Sequence, residues 1–467
     1  SCRRWGHTPL LTRPKVTAIV ATIVAIFAVF GTTAFAVLSI FALTTLCLIA
    51  GLKITGAVAC MTAAVEPRND TPPAPDGRPY RRPKVSVLVP LFREKEIAGR
   101  LISRLSKLTY PKVLLDVVLV LEEKDQVTRE ALEGTDLPAW MRVIEVPAHG
   151  GLTTKPRAMN YALDFCDGDI IGIWDAEDAP EPDQIDRAVS RFANAPQDVV
   201  CLQGVLDYYN PRTNWIARCF TIEYASWWRV ILPGLARMGL VIPLGGTTLF
   251  FRRDKLEELG GWDAHNVTED ADLGVRLARE GYRTELFPAV TYEEANYRPW
   301  PWIKQRSRWL KGFMVTYLVH MRQPRQLWRD VGPRRFLGLQ AFFIGTVSQF
   351  LLAPVLWSFW AIIFGAPHPV LNVIPSPAVW GLTFLFLFVE IANITIGMTA
   401  VSGAQHRHLM RWVPILLLYF PMGAVASYKA LIELVVSPFY WDKTQHGQAE
   451  ADEGTGIDDP MPPEQEY

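Results

Sequence analysis

The sequence predicts an α/β domain that is inserted between membrane-spanning helices. Long runs without any charged residue lie near both ends of the chain, one between Lys15 and Lys53 and others beyond Arg335. From Val85 onwards, short runs rich in β-branched residues alternate with helical segments, a pattern typical of α/β domains with a mostly parallel sheet. Of the 467 residues, 50% are hydrophobic and only 20% are charged, which also favours membrane segments.

The first apolar run predicts a transmembrane helix hairpin over residues 14–64. It is too long for a single bilayer crossing, which takes about 20 residues, so we expect two helices that turn near Gly31-Thr32-Thr33. A cleavable signal peptide is the alternative, but its apolar core spans only about 7–15 residues. The following residues 65–83 are rich in Pro, Arg and Asp and are typical of a linker.

Residues 84–300 form the predicted α/β domain. Strands are expected at Val85–Val89, Leu115–Leu121 and Ile170–Trp174, with a helix at Ile97–Leu108. In open sheets of this kind, ligands bind at the carboxyl ends of the strands. The residues that follow each strand are therefore the first candidates for a functional site.

The chain beyond this domain is again apolar. Residues 301–335 predict interfacial helices, and residues 336–403 predict two transmembrane helices. Residues 404–436 contain prolines and charges and begin with a basic cluster, which is typical of the cytoplasmic side, so we expect an interfacial or re-entrant segment there. Residues 437–447 would then form a cytoplasmic loop, and the acidic tail over 448–467 is expected to be disordered.

Charge and cysteine spacing narrow the classes of function. The formal net charge is zero and no basic stripe with interleaved aromatic residues occurs, so a nucleic-acid partner is not expected. The six cysteines show no CxxC pair and no metal-binding spacing with histidines. Free thiols in a membrane or in reducing cytosol are the expected state.

Acidic side chains follow the first two predicted strands. Glu94 comes after the first strand, and Glu122 and Glu123 come after the second. At these positions they are placed to accept hydrogen bonds from a uracil imide or a ribose hydroxyl, whereas solvated loop charge is the ordinary alternative.

The third strand runs into the acidic group Asp175-Ala176-Glu177-Asp178. Carboxylate oxygens are the ligands that hard divalent cations prefer, and Mg²⁺ commonly bridges one or two carboxylates and substrate phosphates. The sequence thus indicates a cation site beside a nucleotide diphosphate. An acidic helix start, with Asp175 as its cap, is the alternative.

Other segments offer cations and a flexible backbone. Lys155 and Arg157 would offset phosphate charge, with Pro156 in a first helical turn, whereas a surface basic patch is the alternative. Gly245 and Gly246 would allow a close backbone approach to a ligand, although a simple turn would also explain them.

A candidate base lies in the segment Thr268-Glu269-Asp270, at the start of a predicted helix that runs towards Arg279. Thr268 fits the N-cap position of this helix. Asp270 is the candidate base for a sugar hydroxyl, because such a base must first reach the proton that it removes.

The pentapeptide Gln305-Arg306-Ser307-Arg308-Trp309 precedes the C-terminal apolar runs. In a helix, Gln305, Arg308 and Trp309 share one face. An arginine suits the charge of a diphosphate, and a tryptophan suits the apolar face of a sugar ring. An interfacial helix anchored by Arg and Trp is the alternative.

In this order, the segments closely resemble those of the family 2 inverting glycosyltransferases of the cellulose, hyaluronan and chitin synthase group. The resemblance covers roughly Val85 to Gly447 and is strongest to bacterial exopolysaccharide β-glucan synthases. It implies a GT-A domain that uses a UDP-sugar donor and a divalent cation, Mg²⁺ or Mn²⁺.

The resemblance also implies roles for individual residues. The TED motif would be Thr268, Glu269 and Asp270, with Asp270 as the catalytic base. Asp175 would hold the metal together with Glu177 or Asp178. The donor-binding residues would be Glu94, Glu122, Glu123, Lys155, Asn160, Asp175, Gln305 and Arg308, the last two from a QxxRW motif.

The remaining implied residues concern the acceptor and a loop that closes over the donor. The acceptor would contact Trp309, Gly245 and Gly246. The gating loop would contain Phe439, Tyr440, Trp441, Lys443 and Thr444.

The function implied by the resemblance is inverting, processive transfer of a sugar, glucose being the best guess, from a UDP-sugar to a growing polysaccharide. The reaction would take place at the cytoplasmic face of a bacterial inner membrane and be coupled to export, with the lipid bilayer and an oligomer or secretion partner as further partners. A non-processive transferase that adds one sugar to a lipid is one alternative. An inactive scaffold subunit of a secretion complex is another.

Overall fold

The computed structural model describes residues 13–62, 81–94, 97–148 and 153–440. The strands are β1 (Val85–Leu91), β2 (Leu115–Glu122), β3 (Met141–Val146), β4 (Ile170–Ile173), β5 (Ala179–Pro180), β6 (Val199–Tyr208), β7 (Leu249–Arg252) and β8 (Arg283–Glu293). The α-helices are α1 (Arg13–Thr62), α2 (Ile97–Ser106), α3 (Gln126–Glu133), α4 (Lys155–Leu163), α5 (Gln184–Asn194), α6 (Trp215–Ala225), α7 (Leu232–Arg237), α8 (Arg253–Glu258), α9 (Glu269–Arg279), α10 (Pro299–His320), α11 (Pro324–Leu351), α12 (Ala353–Ile363), α13 (Ser376–Ala400), α14 (Leu416–Tyr419) and α15 (Pro421–Val436).

The chain divides into two compact units. The first, here called the helical unit, contains Ser1–Thr62, Asn214–Leu240 and Asn296–Thr444. The second, here called the sheet unit, contains Ala63–Thr213, Val241–Ala295 and Gln445–Tyr467.

The sheet unit is built on eight strands in the order β3-β2-β1-β4-β7-β6-β8-β5. Strands β3, β2, β1 and β4 run parallel to one another, as do β6 and β8. Strand β7 runs antiparallel between β4 and β6, and β5 runs antiparallel to β8. The predicted α/β class is therefore confirmed, and the sheet is mixed. Strands β1, β2, β4, β6 and β8 all point in one direction, so their carboxyl ends share one edge of the sheet.

The central strands form because their sequences are almost uninterrupted runs of apolar residues. Every residue of β2 is buried, as expected for a parallel strand that is covered on both faces. The core includes Val87 and Val89 of β1 as well as Trp174 and Phe250, whose rings meet edge to face at 6.3 Å. This core holds the carboxyl edge of the sheet in place.

The expected hairpin over residues 14–64 is wrong for the described residues. Residues 13–62 form one helix of 50 residues, and the backbone leaves helical geometry only at Phe30 (φ −123°, ψ 32°). A reversal needs several consecutive residues outside the helical region, and the apolar residues around Gly31 supply neither a proline nor a polar turn sequence. The result is a kink within a helix about 75 Å long.

Two described helices of the helical unit are long and apolar enough to cross a membrane. They are α1, counted from Pro14, and α13. Two bent pairs also qualify if each counts as one span: α11 with α12, bent by 65°, and Arg407–Tyr419 with α15, bent by 45°. Within α11 the chain bends at Gly332, which has a φ of 78° and precedes Pro333. These counts refer to the described residues alone.

Candidate active site

The candidate site begins where β4 ends in the sheet unit. Trp174 follows the strand and is completely buried, and its Nε1 donates to Oε1 of Gln184 at 2.8 Å. This anchor fixes the direction of the chain as it enters the acidic group. Asp175 consequently leaves the sheet at its carboxyl edge with its side chain partly exposed.

Lys155, at the start of α4, reaches across to this edge. Its Nζ donates to Oδ1 of Asp175 and, at 2.9 Å, to the carbonyl oxygen of Gly246. Burial lowers the pKa of Lys155, but the carboxylates of Asp175, Glu269 and Asp270 more than offset this and raise it above the usual range. The ammonium is therefore positively charged at neutral pH.

Asp270 lies in the first turn of α9 and faces the same place. Its Oδ1 accepts from the backbone N–H of Ala271 at 2.8 Å. A Cβ atom built on Gly246 would stand 3.5 Å from Oδ2 of Asp270 and 3.7 Å from Nζ of Lys155. The fold thus brings Lys155, Asp175, Gly246 and Asp270 together from four distant parts of the sequence.

Thr268 and Glu269 precede Asp270 at the start of α9. Thr268 occupies the N-cap position of α9, but its side chain makes no capping hydrogen bond, contrary to expectation. Its backbone N–H instead donates to Oδ1 of Asn266 at 3.0 Å. Glu269 is buried, and burial together with the charge of Asp270 raises its pKa to about 8.

The acidic group at residues 175–178 is a turn and not the helix start that was the alternative. Oδ2 of Asp178 accepts from the backbone N–H of Asp175 at 2.7 Å and from the hydroxyl of Thr247. Oδ1 of Asp178 is buried and has no hydrogen-bond partner among the described residues. Burial, followed by the charges of Asp175 and Glu177, raises the pKa of Asp178 well above its usual range.

Glu293, the last residue of β8, adds a carboxylate that the sequence analysis missed. Its pKa is also raised, first by burial and then by Asp178, Asp175 and Glu177. Because β8 runs in the same direction as β4, these four carboxylates meet at one edge of the sheet. In the sequence, only the position of Glu293 at the end of a strand would have indicated that it joins these carboxylates.

The acidic turn is suited to a divalent cation that is shared with a ligand. Within the described ranges no three acidic, histidine or cysteine side chains form a closed metal site. The unpartnered oxygen of Asp178, in a region of concentrated negative charge, nonetheless offers a hard ligand. Asp175, Glu177 and Asp178 would hold such a cation only together with phosphate oxygens, and the cation would neutralise charge on a leaving diphosphate.

Of the acidic residues near the ends of β1 and β2, Glu122 and Glu123 use their carboxylates in contacts within the protein. Glu122 is buried and pairs with Nη1 of Arg157 at 3.1 Å, so Arg157 neutralises a carboxylate. Glu123 accepts from the N–H of Ala148 at 2.6 Å. The backbone N–H of Glu94 donates to Oγ1 of Thr128 at 2.9 Å. A role for these carboxylates in donor binding stays a prediction.

Asn160, predicted to bind the donor, is hydrogen-bonded within the protein. Its Nδ2 donates to the carbonyl oxygen of Trp262 at 2.7 Å, and its Oδ1 accepts from the N–H of Trp262 at 2.8 Å. Gly261, at a φ of 65°, allows this approach, since a Cβ there would overlap Oδ1 of Asn160. Asn160 therefore fixes the loop before α9, and its role in donor binding stays a prediction.

The glycine segment at Gly245 and Gly246 is held by Gln203, which the sequence analysis also missed. Gln203 is fully buried in β6. Its Oε1 accepts from the N–H of Gly245 at 2.8 Å, and its Nε2 donates to the carbonyl oxygen of Thr247 at 3.1 Å. Gln203 could have been identified from the sequence as a polar side chain in the middle of an apolar strand, because such a side chain needs hydrogen-bond partners.

Thr248, two residues after Gly246, has a strained backbone conformation. It is a buried β-branched residue with a φ of 57°, in the left-handed region that such residues rarely adopt. Gly204 is required opposite it, because a Cβ there would overlap Cγ2 of Thr248. Strain of this kind is commonly retained at functional sites.

The QxxRW segment lies in α10 of the helical unit and is helical, as predicted. Gln305 is buried, and its Oε1 accepts from Nδ2 of Asn296 at 2.9 Å. Trp309 is partly buried and stacks on Tyr224 with ring centroids 6.2 Å apart. Arg308 is likewise partly buried.

The predicted gating loop is described only at its start. Tyr440 accepts a hydrogen bond at its carbonyl oxygen from Nζ of Lys311 at 2.6 Å, which ties it to α10. Phe439 precedes it and is partly buried. Trp441, Lys443 and Thr444 lie outside the described residues.

Comparison with known proteins agrees with this architecture. Residues 83–312 match the model of the family described as "Glycosyltransferase like family 2". The chain is 28% identical over 244 residues to the probable glycosyltransferase YdaM of Bacillus subtilis, an alignment that covers 52% of this chain and 58% of that protein. It is 24% identical over 398 residues to the beta-monoglucosyldiacylglycerol synthase of Synechocystis, covering 80% of this chain and 77% of that protein. The chain spans little more than half the length of most of the curated relatives that it matches.

Among solved structures, the chain resembles the mannosyltransferase PcManGT from Pyrobaculum calidifontis in complex with GDP-Man and Mn²⁺. The TM-score is 0.52 at 18% identity, with 84% of this chain and 99% of that chain covered, so the likeness concerns the fold. Residues 83–312 are a family 2 glycosyltransferase domain with a GT-A fold. The narrower prediction of a processive synthase is not decided by these matches.

Proposed function

We propose that the chain is an inverting glycosyltransferase that uses a nucleotide diphosphate sugar. The observation that carries this proposal is the meeting of Lys155, Asp175 and Asp270 around Gly246. A base and a permanent cation at one glycine-lined spot suit a displacement in which a hydroxyl attacks and a diphosphate leaves.

The reaction is a single displacement at the anomeric carbon. Asp270 accepts the proton of the acceptor hydroxyl, whose oxygen attacks the anomeric carbon as the bond from that carbon to the diphosphate oxygen breaks. The electron pair of the broken bond leaves with the diphosphate, and the ammonium of Lys155 offsets part of its charge. Attack from the face opposite the leaving group inverts the configuration, so no covalent intermediate is required.

The donor and cation are proposed from the same site and from the family. The matching structure is a complex with GDP-Man and Mn²⁺, and relatives are named for transfer of glucose. UDP-glucose with Mg²⁺ or Mn²⁺ is accordingly our first choice of donor and cation. The unpartnered oxygen of Asp178 supports the presence of the cation.

For the acceptor we favour a lipid hydroxyl at the membrane. One relative, aligned over 80% of this chain, is named as a beta-monoglucosyldiacylglycerol synthase. Helices α1 and α13 could hold the chain in the bilayer where such an acceptor resides. The setting proposed is a bacterial inner membrane with the catalytic domain on the cytoplasmic side.

Processive synthesis of a polysaccharide is the second candidate. Its support is the tie between Lys311 in α10 and Tyr440, which brings the start of the predicted gating loop to the helix that carries Arg308 and Trp309. The two candidates differ in product size.

One experiment tests these proposals together. Purified protein in detergent is incubated with UDP-glucose, UDP-GlcNAc or GDP-mannose, with Mg²⁺ or Mn²⁺, and with or without dioleoylglycerol. We expect one glycolipid by mass spectrometry, whereas a polymer would support the processive candidate. Absence of both product and nucleotide diphosphate release with every donor would refute the enzymatic function and leave the scaffold alternative.

A further inference from the structure

Arg306, the second residue of the QxxRW segment, is held among aromatic rings in the helical unit. Its guanidinium carbon lies 4.9 Å from the ring centroids of both Trp302 and Trp309, and 5.6 Å from that of Phe220. Its Nη2 is paired with Oε2 of Glu223 at 2.6 Å. We call this set of residues, together with Tyr419, the Arg306 box.

Apart from Tyr419, which belongs to α14, the box is assembled from two helices by ordinary helical spacing. Trp302, Arg306 and Trp309 are separated by four and three residues, so they share one face of α10. Phe220 and Glu223 are three residues apart and share one face of α6. The two faces meet with the guanidinium between them.

Tyr419 completes the hydrogen bonding of the box. Its hydroxyl donates to Oε2 of Glu223 at 2.8 Å and accepts from Nε1 of Trp302 at 2.6 Å. The Nε of Arg306 is buried and finds no hydrogen-bond partner in the part of the chain that is described. The position of the guanidinium is therefore decided by the rings and one carboxylate, an arrangement that lysine would not reproduce.

These contacts constrain the ring of Trp309, the residue that is predicted to contact the acceptor sugar. Its ring stacks on Tyr224 at an interplanar angle of 29° and lies 6.2 Å from Phe220, while Arg306 covers it at 4.9 Å. Trp309 still remains partly exposed. A ring that is clamped in this way loses rotamer freedom but keeps surface for contact with a sugar.

We propose that Arg306 is a positioning residue that orients Trp309 for the acceptor, acting through the Arg306 box. The orientation of Trp309 follows from the contacts in the helical unit. That Trp309 contacts an acceptor rests on the proposed function. Disruption of the box should therefore raise the KM for the acceptor and have little influence on the KM for the donor.

The double variant Arg306→Met/Glu223→Gln separates positioning from folding. Arg306→Met alone would leave the partly buried carboxylate of Glu223 without this cation, which would destabilise the fold. The double variant removes both charges, and the glutamine oxygen can still accept from Tyr419. Arg306→Lys keeps the charge but lacks the planar group. Arg335→Met is the matched control, because Arg335 in the same unit donates to the carbonyl oxygen of Gly239 at 3.0 Å.

Kinetics with UDP-glucose and either dioleoylglycerol or a short β-glucan oligosaccharide provide the first readout. We expect the double variant to regain the thermal midpoint that Arg306→Met loses, while the acceptor KM stays raised by about tenfold. Arg306→Lys should raise it as well, and Arg335→Met should not. Recovery of the acceptor KM together with the midpoint would overturn the proposal and leave Arg306 a structural residue.

A structure of the double variant provides a readout that needs no activity. We expect the ring of Trp309 to leave its stack on Tyr224. Should the stack persist at the original 6.2 Å, Arg306 does not position Trp309. Failure of every donor and acceptor in the wild-type protein would instead refute the proposed function and leave this structural result intact.

Discussion

At the scale of single residues, Asp270 is the group on which the proposed chemistry depends. Asp270→Asn preserves size and removes the base, so we expect transfer to fall by about 10²–10⁴-fold. Nucleotide binding should persist, because Lys155 and Asp175 are unchanged. Product formation and binding of labelled UDP are the two measurements, with the exposed Asp254→Asn as control. A variant as active as the wild type would show that another group is the base.

Glu269 should make stability depend on pH. Its pKa is about 8 in the folded protein, against an ordinary value of 4.5, so the folded state holds a proton that the unfolded chain releases. The stability contributed by this proton is complete below pH 4.5 and is lost as pH rises through 8, at up to about 1.4 kcal/mol per pH unit. Thermal midpoints between pH 5 and 8.5 should fall less steeply for Glu269→Gln. Parallel profiles for both proteins would contradict this assignment.

The acidic turn should bind a cation well only when a diphosphate is present. The described side chains supply no closed metal site, and phosphate oxygens would complete the coordination. In titrations followed by electron paramagnetic resonance, Mn²⁺ should bind weakly to the protein alone and more tightly after addition of UDP. Equal affinity in both titrations would point to a complete site within the protein.

At the scale of elements, Gln203 in β6 connects the sheet to the glycine segment that carries Gly246. Gln203→Leu would leave the N–H of Gly245 and the carbonyl of Thr247 without this partner. We expect the free energy of unfolding to fall by about 1–3 kcal/mol and activity to decline, since Gly246 helps to place Lys155. Thermal unfolding of this variant is compared with that of Gln126→Leu, an exposed position. A Gln203→Leu protein as stable as the control would refute this role.

The elements themselves were largely predictable from local pattern. Strands β1, β2 and β4 and helix α2 are confirmed within a few residues, because their apolar runs are bounded by turn residues. The prediction of an N-terminal hairpin was wrong, because the length of an apolar run does not show where the chain turns. The contact of Asn160 with the backbone of Trp262 was not predictable from local pattern, because the two residues are 102 positions apart.

At the scale of the whole molecule, the proposal requires that the helical unit cross a membrane. In a protein freed of its six cysteines, Pro367→Cys between α12 and α13 should react with an impermeant maleimide from outside intact cells. Glu258→Cys in the sheet unit, at an exposed position, should react only after lysis. Such a result would fit spans on either side of residue 367 and a cytoplasmic catalytic domain. Labelling of both from one side would refute this topology.

The sequence by itself determined the α/β class, the apolar helices, and the TED and QxxRW segments that point to family 2. These features depend on periodicity and on short motifs, which are local properties of the chain. Only the tertiary structure decided that Lys155, Asp175, Gly246 and Asp270 meet, that Asp178 keeps one unpartnered oxygen, and that Arg306 lies against Trp309. These contacts join residues from different elements, and folding alone sets the distances between them.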